Sequence, residues 1–255
     1  MLNFPVPYPE ELIYSTVARA GIREGIISPK ELLDDVHGNR NVIATLDLPN
    51  QLHRISSWLP SEYTVETIAY RHTLFPLYAP FIPEERRKRC LAWMAGQSRG
   101  AVHLSMGVTA SLVKVPGQVR YCSGCLNKQK RTFGEYFWKR EWQIAGVDCC
   151  EKHGELINTA IARPLADQHR YHDASPDTCP LFPQRPARNE SQMILAQVRE
   201  LLGQQQATSP SYQQWSIHYH WLASQHGFTR GQAHINHSEI AEAVTSLDAI
   251  ARALT

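Results

Sequence analysis

No apolar run in this 255-residue chain approaches the ~20 residues needed to cross a bilayer, so no transmembrane helix is expected and no membrane partner is assigned. An excess of one charge is missing too. With 26 basic and 24 acidic residues the net charge is +2, and composition by itself does not announce nucleic acid. There is no low-complexity tract, and 43% hydrophobic against 20% charged residues excludes a disordered tail. The first residues, Met1 to Pro7, hold neither a basic start nor an apolar core of the kind a secretion signal needs, which predicts a cytosolic, reducing compartment. A chain of this length buries about 70–75% of its unfolded surface, so a core needs no disulfide staples. H-E-x-x-H, a glycine-rich phosphate loop and a G-x-S-x-G elbow are all absent, and no catalytic residue is assigned.

What is present is unevenly spread. Residues 1–113 carry 11 basic and 11 acidic side chains, residues 114–153 carry 8 and 4, and residues 154–255 carry 7 and 9. The middle stretch is the one basic island, and it holds four of the six cysteines. Before it the text is helical. Pro9 opens a segment with Leu12, Ile13, Val17 and Ala20 on one side and Gly25 after it, predicting an amphipathic helix with a glycine stop. Ser28-Pro29-Lys30-Glu31 is a capping box, and Gly38 ends that second helix. With further helix around Leu52 and Ile55 and around Val65 to Tyr70, this half resembles a helix-turn-helix arrangement or any other small bundle. The run Glu84 to Cys90 reads as a solvated helix face with Cys90 in the core. Residues 190–255 again show helical spacing, over Glu190 to Gln206, Ser211 to Gln225 and Ser238 to Leu254, with Trp215, Tyr219 and Leu222 expected in a core and a second helix-turn-helix possible around Gly227 to Asn236. Five prolines make residues 163–189 a linker.

Chemistry concentrates at Cys122-Ser123-Gly124-Cys125 and Cys149-Cys150-Glu151-Lys152-His153. Cys122 and Cys125 form one x-x pair, Cys150 and His153 another, and together they offer three thiolates and an imidazole, a structural zinc set. Cys149 could replace Cys150, but the symmetrical pairing favours Cys150. A nucleophilic cysteine would need a free thiol, and a thioredoxin-like role would need a strand and helix around C-x-x-C. The deaminase order is reversed, because His153-Gly154-Glu155 follows the C-x-x-C pair. Between the half-sites lie Lys128, Lys130, Arg131, Lys139 and Arg140, interleaved with Phe133, Tyr136, Phe137, Trp138 and Trp142. Two readings stay open: cations on a rigid scaffold against a phosphate backbone, or a small aromatic core with lysines solvated outside. His169 and His172 before Cys179 supply three donors of a weaker second set.

Several long strings resemble the TnsD/TniQ family of transposon target-site selectors: Asn3-Phe4-Pro5-Val6-Pro7-Tyr8, Glu11-Leu12-Ile13-Tyr14-Ser15-Thr16-Val17, His72-Thr73-Leu74-Phe75-Pro76-Leu77-Tyr78-Ala79-Pro80-Phe81, Gly100-Ala101-Val102-His103-Leu104, Arg120-Tyr121-Cys122 and Cys150-Glu151-Lys152-His153-Gly154. The likeness covers residues 1–160 well and the C-terminal helices loosely. It implies a non-enzymatic adaptor that marks an insertion site on double-stranded target DNA and recruits the AAA+ ATPase TnsC, with Cys122, Cys125, Cys150 and His153 holding Zn2+. Relatives of the TniQ type dock instead on an RNA-guided CRISPR effector complex. The implied setting is the bacterial cytoplasm, at the nucleoid when DNA is bound. The expected fold is mainly α: an N-terminal helical region (1–113), a central zinc-ribbon or finger module (114–162), the proline-rich linker (163–189) and a C-terminal helical bundle (190–255). Longer family members carry further DNA-reading helices, so the resemblance supports recruiting more firmly than independent sequence reading.

Overall fold

The computed structural model describes residues 3–97, 100–111, 113–163, 167–204, 213–231 and 234–243. Helix α1 (Ile13–Glu24) stops where Gly25 adopts a left-handed φ of 68° and turns its N–H onto the carbonyls of Gly21 and Ile22. Helix α2 (Pro29–His37) starts on Ser28, whose hydroxyl accepts from the Glu31 N–H, and ends at left-handed Gly38. Then come α3 (Leu52–Ser56), α4 (Val65–His72), capped by Thr64, α5 (Glu84–Ala95) and α6 (Ala101–Ser105). The central segment mixes β1 (Gln118–Tyr121), α7 (Ser123–Phe133), β2 (Cys149–Cys150), β3 (Gly154–Glu155) and β4 (Ile157–Ala162). Strand β1 runs antiparallel to β4, with Tyr121 opposite Ile157, and β2 to β3, with Cys150 opposite Gly154. Helices α8 (Asn189–Gly203), α9 (Gln214–Gln225) and α10 (His237–Ala243) follow, with a short antiparallel pair, β5 (Thr229–Arg230) and β6 (His234–Ile235), between the last two. The fold is mainly α.

Helix α1 departs from the amphipathic reading, because Ile13 through Gly21 are all buried. Its second face is covered from the far end of the chain. The Trp138 N–H donates to Ser15 Oγ at 3.0 Å, the Leu12 N–H donates to Trp138 O at 2.9 Å, and the Tyr14 hydroxyl accepts from the His172 N–H at 2.7 Å. One apolar cluster therefore joins Leu12, Leu33, Phe75, Met94, Tyr121, Trp138, Trp142, Cys149, Cys179 and Leu195. Cys90 lies in it, as expected. Residues 167–188 hold neither helix nor strand, in keeping with their four prolines, yet Tyr171, Ala174 and Cys179 are buried, so this stretch is a packed strap rather than a free spacer.

The helix-turn-helix expectation fares poorly on charge. The exposed face of α2 presents Glu31, Asp34 and Asp35, which would repel a phosphate backbone. At the C-terminal end, β5 and β6 stand between α9 and α10 where a simple turn was expected. Helix α9 is no core element: Ile217 is 67% and Trp221 57% exposed, and Tyr219 and Leu222 are also open, while Trp215 packs on Phe81 and donates to Pro80 O. Helix α10 begins at His237, one residue before the expected cap Ser238. Val244, Leu247, Ile250 and Leu254 of the third expected helix lie outside the described residues, as do Ser211 and Gln206.

Candidate metal centre

The ligand atoms of Cys122, Cys125, Cys150 and His153 all lie within 4.8 Å of one another. His153 Nδ1 is 3.3 Å from Cys122 Sγ, 3.4 Å from Cys125 Sγ and 3.6 Å from Cys150 Sγ, and the Cys125 and Cys150 sulfurs are 3.5 Å apart. A tetrahedral ion with sulfur at about 2.3 Å and nitrogen at about 2.0–2.1 Å sets edges of about 3.8 Å and about 3.6 Å, so the cluster fits one such ion closely. Two local structures build it. Cys122 caps α7, its sulfur accepting from the Cys125 N–H at 3.4 Å, so both thiols sit on the first turn. Cys150 and His153 flank the turn between β2 and β3.

Strand alternation places Cys150, rather than its neighbour Cys149, beside the other three. Neighbouring residues on a strand point to opposite faces. Cys150 enters the ligand cluster while Cys149 is fully buried in the shared core, its thiol pushed up to about 11 by burial. Crowding shows in the protonation of the three ligand thiols. Hydrogen bonds from Cys122 and Cys125 hold the Cys150 sulfur as a thiolate, and the bond with Cys122, then that with Cys150, pushes the Cys125 thiol up. Three sulfurs and one imidazole gathered this closely are a donor set that could hold one metal ion.

Both glycines of the motifs have steric reasons. A Cβ on Gly124 would meet the His153 ring at 2.4 Å. Gly154 has φ of +100°, and a Cβ there would lie 1.9 Å from Arg185 O. Arg185 belongs to the proline-rich strap, which sequence reasoning treated as a spacer. The Glu155 N–H donates to Arg185 O at 2.8 Å, the Phe182 N–H to Ser123 Oγ at 3.0 Å, and the Tyr121 hydroxyl to Pro180 O at 2.7 Å. Gln184 Oε1 accepts from the Cys122 thiol and from the Gly124 N–H, both at 3.2 Å, while its Nε2 donates to Glu155 O. The available signal was Pro180, Pro183 and Pro186 at intervals of three, the repeat of an extended polyproline strand.

A family model named TniQ matches residues 2–157, which include all four ligands. The chain belongs to the TniQ family. Over 250 residues, 96% of its length, it is 44% identical to the "Transposon Tn7 transposition protein TnsD" of Escherichia coli, and it spans about half the length of that relative, 48%. In this TniQ-family chain no helix among the described residues is long and apolar enough to cross a membrane. Nor do His169, His172 and Cys179 form a second metal-ligand group there: His169 Nδ1 bonds Val42 O, and the His172 carbonyl accepts from Trp138 Nε1.

The basic island divides. Lys128 and Arg131 are exposed on α7, and Lys130 is exposed with its ammonium on Gly134 O at 2.8 Å. Lys139 is half-buried, 3.5 Å from Glu141. Arg140 differs from the other four: it is 3% exposed, forked onto Glu10 at 2.7 and 2.9 Å, and donates to Tyr70 O and Leu202 O, so four of its five N–H groups are used inside the fold and the side chain is closed off from solvent. Trp138 and Trp142 are fully buried, as the core reading of the aromatics had it. Beside the metal ligands a groove of about 390 Å³ is lined by Lys128, Lys139, Lys152 and Arg199. A buried ion network also escaped the sequence reading: Arg19 pairs with fully buried Glu11 at 3.0 Å and with Glu135 at 3.0 Å, and stacks on Tyr8 at 4.2 Å, which pins the N-terminal string to α1 and α7.

Proposed function

We propose that this chain acts as the target-site selector of a Tn7-like transposon: a non-enzymatic adaptor, working in the bacterial cytoplasm, that marks an insertion site on double-stranded DNA and recruits the ATPase TnsC. The observation that carries this reading is 44% identity across 96% of the chain to a Tn7 TnsD protein. Zinc is the ion we infer for the cluster, because three thiolates and one imidazole in a closed tetrahedron are its structural donor set. When bound, it would crosslink the first turn of α7 to the β2–β3 turn. DNA contact is assigned to Lys128, Lys130 and Arg131, with Lys139 at the margin and Arg140 withdrawn. The helical region 1–113, the module 114–162 and the strap 163–189 act as one body, since one core runs through them and takes in Leu195 and Leu202 of α8, the first helix of the C-terminal region 190–255.

The test is fluorescence anisotropy of the purified chain on duplexes with and without the insertion site, across a salt series and with TnsC present or absent. The reading expects TnsC to stay on the site duplex only when the chain is added. Replacing Lys128 and Arg131 with Glu should weaken binding to all sequences alike and lower the salt slope by about 0.9 per lost contact. A chain that neither binds duplex nor changes TnsC retention ends the proposal.

A further inference from the structure

The metal cluster is tied to α8 by a two-armed side chain. Arg199 Nε donates to Glu141 Oε2 at 2.8 Å, and its Nη1 lies 2.6 Å from Glu151 Oε2. Glu151 follows the ligand Cys150, inside the short turn that must bring Cys150 and His153 to one ion. Glu141 is only 3% exposed and precedes the fully buried Trp142. Arg188, just before α8, pairs with Asp148 at 3.2 Å, just ahead of β2. At the far end of α8 the Leu202 carbonyl accepts from Arg140. The apolar seam is narrow: of fifteen residues Ser191, Leu195 and Leu202 are buried, Ile194 and Val198 are half-buried against the core, and Met193 is 54% exposed.

We propose that the metal centre latches α8: filling the Cys122, Cys125, Cys150 and His153 cluster fixes the β2–β3 turn, and that turn holds residues 189–203 on the body through Arg199. The inference rests on the metal reading of the cluster. Without the ion the turn keeps its β2–β3 pairing and the Glu155 to Arg185 hydrogen bond but loses its crosslink to α7, so Glu151 gains freedom to leave Arg199, which then keeps one firm anchor, Glu141, in place of two. Coupling of this kind is reciprocal, so whatever factor the ion adds to docking, docking adds to ion affinity. Arg199 is thus a positioning residue for a cluster it does not touch.

The experiment is amide hydrogen exchange on the full zinc-loaded chain, before and after chelation, with metal content measured in parallel. Loaded chain should carry one ion, and chelation should raise exchange across 189–203 by at least about tenfold, together with 121–155, while residues 13–72 keep their protection. Arg199→Leu should keep the ion yet loosen 189–203, and its zinc dissociation constant should rise by the same factor. Glu151→Ala, at a 55% exposed position, tests the same arm without disturbing the core. Unchanged protection of 189–203 on chelation, or Arg199→Leu and Glu151→Ala that both protect α8 as the parent does, overturns the latch while leaving the metal site standing. A chain that takes up no ion overturns both.

Discussion

The helical body and the metal module share a core but are held by different physics. From Ile13 to Met106 the structure rests on apolar side chains at helical spacing, with caps such as Ser28 and Thr64 and glycine stops at Gly25 and Gly38. Burial there is non-directional, so many side chains of similar size would serve. From Gln118 to Arg188 the strands are two to six residues long, and order comes from directed contacts: four ligands, an amide from Gln184, a carbonyl from Arg185. Each has one geometry and no substitute. A fold can thus combine a forgiving half with an exacting one.

The largest expected break in that comparison comes from the ligands. Cys150→Ser should release the ion and unfold the module, since structural zinc contributes on the order of 10 kcal/mol to small domains. Exchange and near-ultraviolet circular dichroism should show 118–162 opening while α1 to α5 persist; a module that stays ordered without metal would refute the site. Acid comes next and targets the body. Burial lowers His37 and His72 to about 4 from an ordinary 6.5, His37 lying against the Tyr171 hydroxyl and His72 against Glu11 O. Both stay neutral when folded but protonate when unfolded, so their contribution is whole above pH 6.5 and drains as pH falls toward 4, by up to about 3 kcal/mol each. Glu11, raised to about 7 by burial against the pull of Arg19, works the other way between 4.5 and 7, one group against two. Urea melts should lose stability steadily from pH 6.5 to 4.5, and His72→Gln should remove nearly all of that slope, because the one remaining histidine is then offset by Glu11. A flat profile contradicts the assignment.

The two halves were legible in the sequence to different degrees, for the same physical reason. Caps, stops and apolar spacing are local signals, so α1, α2, α4 and α5 form where the periodicity placed them. The x-x spacing of Cys122 and Cys125 and of Cys150 and His153 is local too, and these four side chains do come together in the fold. What could not be read was which distant partner covers a given face. Nothing near Arg140 announces Glu10, 130 residues away, so a buried fork looked like a phosphate contact. The strap over the metal was hidden because prolines exclude helix and sheet without excluding packing. Helix α9 failed in the other direction: Trp215, Tyr219 and Leu222 keep helical spacing but lack enough surface to bury them.

One substitution made twice gives the sharpest small contrast. Gly25 ends α1 at φ +68° with nothing within 4 Å of where a methyl group would sit, so Gly25→Ala meets backbone strain alone, about 1 kcal/mol. Gly154 combines φ of +100° with Arg185 O at 1.9 Å from a Cβ, and that oxygen is backbone that cannot rotate away. Gly154→Ala must therefore push off the strap, giving up the Glu155 to Arg185 hydrogen bond and, with it, the Gln184 contacts at Cys122. Strain and overpacking together cost about 2–5 kcal/mol. Urea melts of the two variants should separate by at least about 1 kcal/mol, and Gly154→Ala alone should speed loss of zinc to a chelator. Equal melts with equal zinc retention would mean that the strap yields freely and that the exacting half is less exacting than its contacts imply.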